Sequence, residues 1–220
     1  MNVPAVARRR RVGVLAVQGA FGRHAAVLTA LGHEARLVRD PGEFAELEGL
    51  VLPGGESTVQ LELITRLGLE RELRELARSG HPILATCAGL ILLASRVDQP
   101  AQRSLGLLDV DVVRNAYGRQ LDSFESVSDE SFESVSDEAL PDEARIDEAL
   151  TDSAAAATAA ASRLPLVFIR APRITRVGPG AEVLARHRGE PVLVRERNVT
   201  AATFHPELTA DARVHRAVFG

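Results

Sequence analysis

The chain contains a single cysteine, no lysine and no tryptophan among its 220 residues, so all 26 basic residues are arginines. One thiol excludes an internal disulfide and indicates a reducing, cytoplasmic setting. Without lysine, a Walker-type phosphate loop is excluded. No apolar run is long enough to span a bilayer, and the "VGVLAV" run behind the N-terminal arginines is too short for a signal peptide. We therefore expect no membrane partner.

Aromatic residues are also scarce, at 4%, whereas hydrophobic residues make up 45% of the chain. This composition predicts one domain over residues 1–220, with a core built mainly from Leu, Val, Ile and Ala. The histidines are scattered along the sequence and there is only one thiol, so no metal site is predicted. No cofactor is predicted either.

Acidic residues are concentrated in one part of the chain. The octapeptide "SFESVSDE" occurs at 123–130 and again at 131–138, and a stretch rich in acids and then in Ala, Ser and Thr follows. We predict a solvated low-complexity insert at about 126–163, and a flexible tail at 1–10. The remaining chain is mildly basic, which is too weak a signal to predict a nucleic-acid partner.

Short apolar runs alternate with helical patterns through the first hundred residues, which is typical of a parallel α/β sheet. Ser57 or Thr58 is a predicted cap of one helix, and Gly68 is a predicted helix break. Shorter extended runs in the second half predict a few antiparallel strands. The expected fold is an open, mostly parallel sheet flanked by helices.

The single thiol, Cys87, stands where a predicted strand, "PILATC", meets a predicted helix, "AGLILLASRV". At such an elbow a nucleophile is exposed, and the helix N-terminus favours negative charge on sulfur and on an oxyanion. The amide of Ala88 would point at the reacting carbonyl. Gly54 and Gly55 follow another strand, so they are expected at the same sheet edge and offer a second oxyanion amide.

A thiol nucleophile needs a base, and "TFHPE" supplies the best candidate. His205 and Glu207 are two residues apart, so in extended chain they project from one face. His205 would accept the thiol proton, and Glu207 would fix its tautomer. The other histidines lack such a partner and are predicted at the surface; they are His24, His33, His81, His187 and His215.

Each of these signals is weak alone, since a lone cysteine in an apolar run is usually an inert core residue. Their joint order along an α/β chain favours a site. Six stretches of the chain carry a resemblance to a known family. They are "GVLAVQGAFGRH", "GLVLPGGEST", "TCAGLILLA", "LGLLDVDVVRNAYGRQLDSFE", "VFIRAPRI" and "FHPELTADARVH". In these stretches the chain resembles the glutaminase subunits of pyridoxal 5′-phosphate synthase, which are triad glutamine amidotransferases with a flavodoxin-like fold.

The resemblance implies hydrolysis of L-glutamine to glutamate and ammonia through a thioester on Cys87, with His205 and Glu207 completing the triad. It implies an oxyanion hole formed by the amides of Gly55 and Ala88. The implied glutamine-binding positions are Gly55, Glu56, Ser57, Arg114, Ile169 and Arg170.

The resemblance also implies a partner. Ammonia would pass to the synthase subunit in a large hetero-oligomer, where it is used to build pyridoxal 5′-phosphate. Docking on that subunit would activate the glutaminase, and Gln18 lies in the segment that resembles the docking region.

Three departures from the family pattern leave alternatives open. Ala85 stands where glycine is usual, the insert lengthens one connection, and the last helix is short. One alternative is a different triad amidotransferase, such as the glutaminase of imidazole-glycerol-phosphate synthase, against which "RNAYGRQ" and "FIRAP" argue. Another is a non-catalytic subunit that only docks.

Overall fold

A computed structural model describes residues 8–114, 116, 123–132 and 162–220. The strands are β1 (Arg11–Leu15), β2 (Glu34–Val38), β3 (Gly49–Leu52), β4 (Ile83–Thr86), β5 (Ala94–Asp98), β6 (Leu108–Val113), β7 (Phe124–Ser131), β8 (Arg163–Phe168), β9 (Arg173–Val177), β10 (Glu182–His187), β11 (Glu190–Glu196) and β12 (Val199–Ala202). The α-helices are α1 (Phe21–Ala30), α2 (Ser57–Arg66), α3 (Glu70–Arg78), α4 (Ala88–Leu93) and α5 (Arg213–Phe219), with 3-10 turns at Pro41–Phe44 and Pro206–Leu208.

The central sheet has seven strands in the order β10-β11-β12-β4-β3-β1-β2. The five strands from β12 to β2 are parallel to one another, whereas β10–β11 and β11–β12 pair antiparallel. The predicted α/β class, with a mostly parallel sheet and antiparallel strands in the C-terminal half, is confirmed. Because β3, β4 and β12 are neighbours, the segments that leave their carboxyl ends meet at one sheet edge.

Successive residues of the central strands face opposite sides of the sheet, and each side has its own aliphatic core. Leu50 and Leu52 belong to one core cluster, while Val51 between them belongs to the other. The few aromatic residues are divided unevenly between the two cores, and the largest fully buried rings lie in the second cluster. They are Phe168, Phe204 and Phe219.

Two smaller sheets extend the molecule. Strand β6 pairs parallel with β5 and antiparallel with β9, and β7 pairs antiparallel with β8. The prediction of one helix over "AGLILLASRV" is wrong beyond Leu93. Ala94 has extended dihedral angles and starts β5, because Val97 reaches the core from a strand that gains a backbone ladder with β6.

The predicted insert and tail are more ordered at their described margins than the composition indicates. Residues 126–131, which the prediction assigned to a loop, continue strand β7, because the first repeat copy alternates inward and outward residues against β8. Within the predicted tail, Arg8 pairs with Glu48, and the Arg10 guanidinium donates to the Phe219 carbonyl. Residues 1–7 and 133–161 lie outside the described residues.

None of the helices in the described ranges is long and apolar enough to cross a membrane.

Candidate active site

Cys87 occupies the sharp turn between β4 and α4, with φ of 49° and ψ of −102°. A positive φ is uncommon for a residue with a side chain and marks a constrained position. The turn is fixed from both sides, because the Cys87 amide donates to the Ala202 carbonyl at 2.8 Å, and a side chain at Gly89 would collide with the Leu52 backbone. The thiol is therefore presented at the carboxyl end of the parallel sheet.

His205 lies just beyond β12 and reaches the same edge. Its amide donates to the Val167 carbonyl at 2.9 Å, and its Nδ1 lies 2.7 Å from Glu207 Oε1. Burial opposes a charge on this ring, but hydrogen bonds with Cys87 and Glu207 outweigh burial and raise the pKa of His205 to about 10. Burial likewise works to raise the pKa of Glu207, whereas the hydrogen bond with His205 lowers it, and the net pKa is lowered. The structure thus brings the three predicted triad residues together.

A solvent-open pocket begins at the thiol. Its lining contains all six positions that the resemblance implied for glutamine binding, together with Cys87, His205 and Ile91. Ile91, on α4, was not predicted, although its helical spacing from Cys87 places it on the same face. The polar and charged side chains of this lining suit a small polar substrate with part of its surface left open.

Three charged side chains line the pocket, Glu56, Arg114 and Arg170, and Arg114 Nη2 lies 3.1 Å from Glu56 Oε1. Glu56, rather than Ser57 or Thr58, caps helix α2, because its longer side chain accepts from the amides of Thr58 and Val59. Partial burial opposes ionisation of Glu56, but these amides and Arg114 lower its pKa. The Ser57 hydroxyl instead donates to Gln102 Oε1 at 2.9 Å, so the capping prediction was wrong.

The predicted oxyanion loop is packed tightly against its surroundings. A side chain at Gly54 would collide with the His205 ring, and one at Gly55 would collide with the side-chain oxygen of Gln18. Gln18 does not line the pocket; its Oε1 accepts from the Glu56 amide at 2.8 Å. Gln60, fully buried, donates to the carbonyls of Gln18 and Pro53, so this loop is held in one shape.

Four histidines that the sequence predicted at the surface are buried: His24, His33, His187 and His215. Two of them, His24 and His215, lie behind Glu207, with His24 Nε2 3.3 Å from Glu207 Oε2. The sequence gives no signal for this contact, because His24 and His215 are 191 residues apart. Only the packing of α1 and α5 beside β4 shows it.

The methyl group of Ala85 lies fully buried in an aliphatic core cluster. In the part of the chain that the structure describes, no group of three or more His, Cys, Asp or Glu residues is arranged to hold a metal ion.

A cysteine on a strand–helix elbow, a buried His–Glu pair and a small polar pocket at the edge of a parallel sheet define a glutamine amidotransferase-like α/β protein. The sequence profile of the SNO glutamine amidotransferase family matches residues 14–141 and 148–219. The chain belongs to this family.

Relatives and solved structures agree with that assignment. The chain is 46% identical to the pyridoxal 5′-phosphate synthase subunit PdxT of Koribacter versatilis, covering 93% of this chain and 92% of the relative. It is 41% identical to the PdxT subunit of Thermotoga maritima, covering 94% and 96%. A crystal structure of a glutamine amidotransferase superposes with a TM-score of 0.76 at 41% identity, covering 94% and 96%. PurLQS from Thermotoga maritima, at 17% identity and a TM-score of 0.64 over 96% and 97%, shares the fold.

Proposed function

We propose that the chain hydrolyses L-glutamine to L-glutamate and ammonia as the glutaminase subunit of a pyridoxal 5′-phosphate synthase. The observation that carries the proposal is that Cys87 and His205 line one pocket with Glu56 and Arg114, while the buried Glu207 contacts His205 Nδ1 at 2.7 Å. The names of the PdxT relatives support the synthase assignment.

The proposed reaction uses two half-steps at one thiol. His205 accepts the Cys87 proton, and the thiolate attacks the side-chain amide carbon of glutamine. The amides of Gly55 and Ala88 stabilise the tetrahedral oxyanion. His205 then protonates the leaving nitrogen, ammonia departs and a glutamyl thioester remains. His205 then deprotonates a water molecule, which attacks the thioester carbon and releases glutamate. His205 returns the proton to the leaving Cys87 sulfur.

Glu207 has an orienting role in this scheme. Its Oε1 accepts from His205 Nδ1, so the other ring nitrogen faces the thiol, and its negative charge stabilises the imidazolium that forms. The raised pKa of His205, to which its hydrogen bonds with Cys87 and Glu207 contribute, supports its role as the proton acceptor.

The pocket charges suit the two ends of free glutamine. Arg114 can pair with the α-carboxylate, and Glu56 can accept from the α-ammonium. Gly55, Ser57, Ile169 and Arg170 complete the binding surface in this proposal; the last two leave β8, and the Ile169 carbonyl lies 3.9 Å from the Cys87 sulfur. Gln18 accepts a hydrogen bond from the Glu56 amide. Docking of the partner at the segment that contains Gln18 would therefore shift the position of Glu56.

The proposed partner is the synthase subunit, in a large hetero-oligomer in the cytoplasm, where the released ammonia is consumed. The proposal is tested by glutamate production from the purified chain, alone and mixed with a synthase subunit, alongside Cys87→Ala. We expect activity in the mixture and none with the variant. Equal activity of Cys87→Ala would refute the nucleophile, and a folded, docked but inactive wild type would favour a subunit that only binds.

A further inference from the structure

A pair of fully buried histidines lies on the far side of Glu207 from the thiol. His24 comes from α1 and His215 from α5, and neither side chain is exposed. His24 Nδ1 lies 2.9 Å from His215 Nε2, while His24 Nε2 lies 3.2 Å from Thr86 Oγ1 and 3.3 Å from Glu207 Oε2. Three elements of the fold thus place polar atoms directly behind the triad carboxylate.

The second carboxylate oxygen of Glu207, Oε2, lacks a hydrogen-bond donor among the described residues. Oε1 already accepts from His205, whereas Oε2 is buried and has no hydrogen bond of good geometry within the described ranges. A buried carboxylate oxygen without a donor is costly. The candidate donor to this oxygen is His24 Nε2, at 3.3 Å. Thr86 Oγ1, its other neighbour, already accepts from the Gly54 amide at 3.0 Å.

The protonation of the two histidines follows from their burial. Burial lowers the pKa of His24 to about 4, with the Glu207 charge opposing it only in part, and burial lowers the pKa of His215 to about 3. Both rings are therefore neutral at pH 7, so each carries one N–H.

Only one arrangement of these two protons satisfies the neighbours. If His24 carries its proton on Nε2, that N–H points between Thr86 Oγ1, at 3.2 Å, and Glu207 Oε2, at 3.3 Å, and Nδ1 accepts from the Nε2–H of His215. His215 Nδ1, which has no partner among the described residues, is then a bare lone pair. The opposite arrangement would turn a lone pair of His24 toward the carboxylate and bury an unpaired N–H on His215.

We propose that His24 is a positioning residue for the glutaminase triad. Its Nε2–H donates to Glu207 Oε2 and holds the carboxylate so that Oε1 stays on His205, and His215 fixes the tautomer of His24. Through Thr86 the same chain of contacts continues to the amide of Gly54. The inference rests on the proposed function, because it assigns His24 a part in the same reaction.

The first test uses the unmodified full chain and needs no activity. Nitrogen-15 NMR of the histidine rings at pH 7 distinguishes the two neutral tautomers and the imidazolium, with His24→Gln and His215→Gln used to assign the signals. We expect the Nε2–H tautomer at both His24 and His215. An Nδ1–H tautomer or an imidazolium at His24 would overturn the proposal, whether or not the chain hydrolyses glutamine.

The second test separates positioning from packing, using glutaminase assays of the full chain with its synthase partner. His24→Leu removes the donor and is expected to lower kcat about 10-fold to 100-fold, with KM changed less than about 2-fold. His24→Gln places an amide N–H near the same point and is expected to recover kcat to within about 3-fold of wild type. His33→Leu, a buried histidine with no contact to Glu207, is the matched control and is expected to keep kcat.

Each outcome of the second test decides the matter. A folded His24→Leu chain within about 2-fold of wild type, equal losses in the Gln and Leu variants, or an equal loss in His33→Leu would each contradict the positioning role. If His24→Leu does not fold, the tautomer measurement and His24→Gln decide. An inactive wild type would count against the proposed function instead, and would leave the tautomer result standing.

Discussion

Gly54 has no side chain, and the space where one would begin is occupied by the His205 ring and the Cβ atom of Cys87. Gly54→Ala should therefore displace His205, because the added Cβ atom would lie 2.3 Å from the ring. We expect at least a 100-fold fall in kcat/KM, or about 3 kcal/mol of lost transition-state stabilisation, in glutaminase assays with the synthase partner.

Gly22→Ala is the matched control for this change. Gly22 lies in α1, and a Cβ atom there would meet nothing within 4 Å. Alanine favours the helix over glycine by about 1 kcal/mol, so we expect unchanged activity and slightly higher stability. Wild-type kcat/KM in Gly54→Ala would show that the His205 position is not critical.

At the scale of single residues, the sequence and its family resemblance singled out residues that the structure brings close together, but not the environment of those residues. Cys87, His205 and Glu207 are marked by local spacing and by short motifs. The capping role of Glu56 was missed because Ser and Thr are the commoner caps, and only the folded loop shows that the Glu56 carboxylate reaches two amides.

At the scale of elements, strand β7 carries the first copy of the octapeptide repeat, and Ser128 fastens it to β8. The Ser128 hydroxyl accepts from the Leu164 amide at 2.9 Å and donates to the Glu130 carbonyl at 2.6 Å, and the side chain is almost fully buried. Ser128→Ala leaves a buried amide without a partner. We expect a loss of about 1–3 kcal/mol in the free energy of unfolding, measured by urea denaturation.

Ser131→Ala in the same strand removes an exposed hydroxyl and should change the free energy of unfolding by less than about 0.5 kcal/mol. Equal stabilities of the two variants would mean that β7 adds little to the fold. Glutaminase activity of both variants should stay near wild type at temperatures where they are folded.

The element pattern also shows where periodicity fails. The parallel strands, the helix break at Gly68 and the closing helix were predictable, because apolar runs and glycines mark them locally. The change from helix to strand at Ala94 was not, since "LLASRV" suits either state and its pairing with β6 is a long-range contact. The strand formed by residues 126–131 was hidden by their acidic, low-complexity composition.

At the scale of the whole molecule, the two buried neutral histidines, His24 and His215, make the free energy of unfolding fall as the pH is lowered. The pKa values of His24 and His215 lie near 4 and 3 in the folded chain and near the ordinary value of 6.5 in the unfolded chain. Their contribution is therefore fully present above pH 6.5 and is lost as the pH falls toward 4 and 3. The free energy of unfolding should fall by up to about 1.4 kcal/mol per pH unit for each histidine.

Urea denaturation between pH 7 and pH 4 measures this slope. His215→Gln removes one of the two groups and should make the slope shallower, whereas His81→Gln, at a partly exposed position, should leave it unchanged. An identical slope in His215→Gln and wild type would contradict a buried neutral histidine at that position. No sequence pattern predicts this behaviour, because it arises from the packing of α1 and α5 around Glu207.

The central claim is that Cys87 forms a glutamyl thioester, and mass spectrometry of the chain during turnover tests it most directly. The chain, mixed with its synthase partner and glutamine, is quenched in acid and digested. We predict a glutamyl group on the peptide that contains Cys87, and no such adduct in Cys87→Ala. Glutamate production at the wild-type rate by Cys87→Ala, with no adduct on the wild-type thiol, would contradict the account.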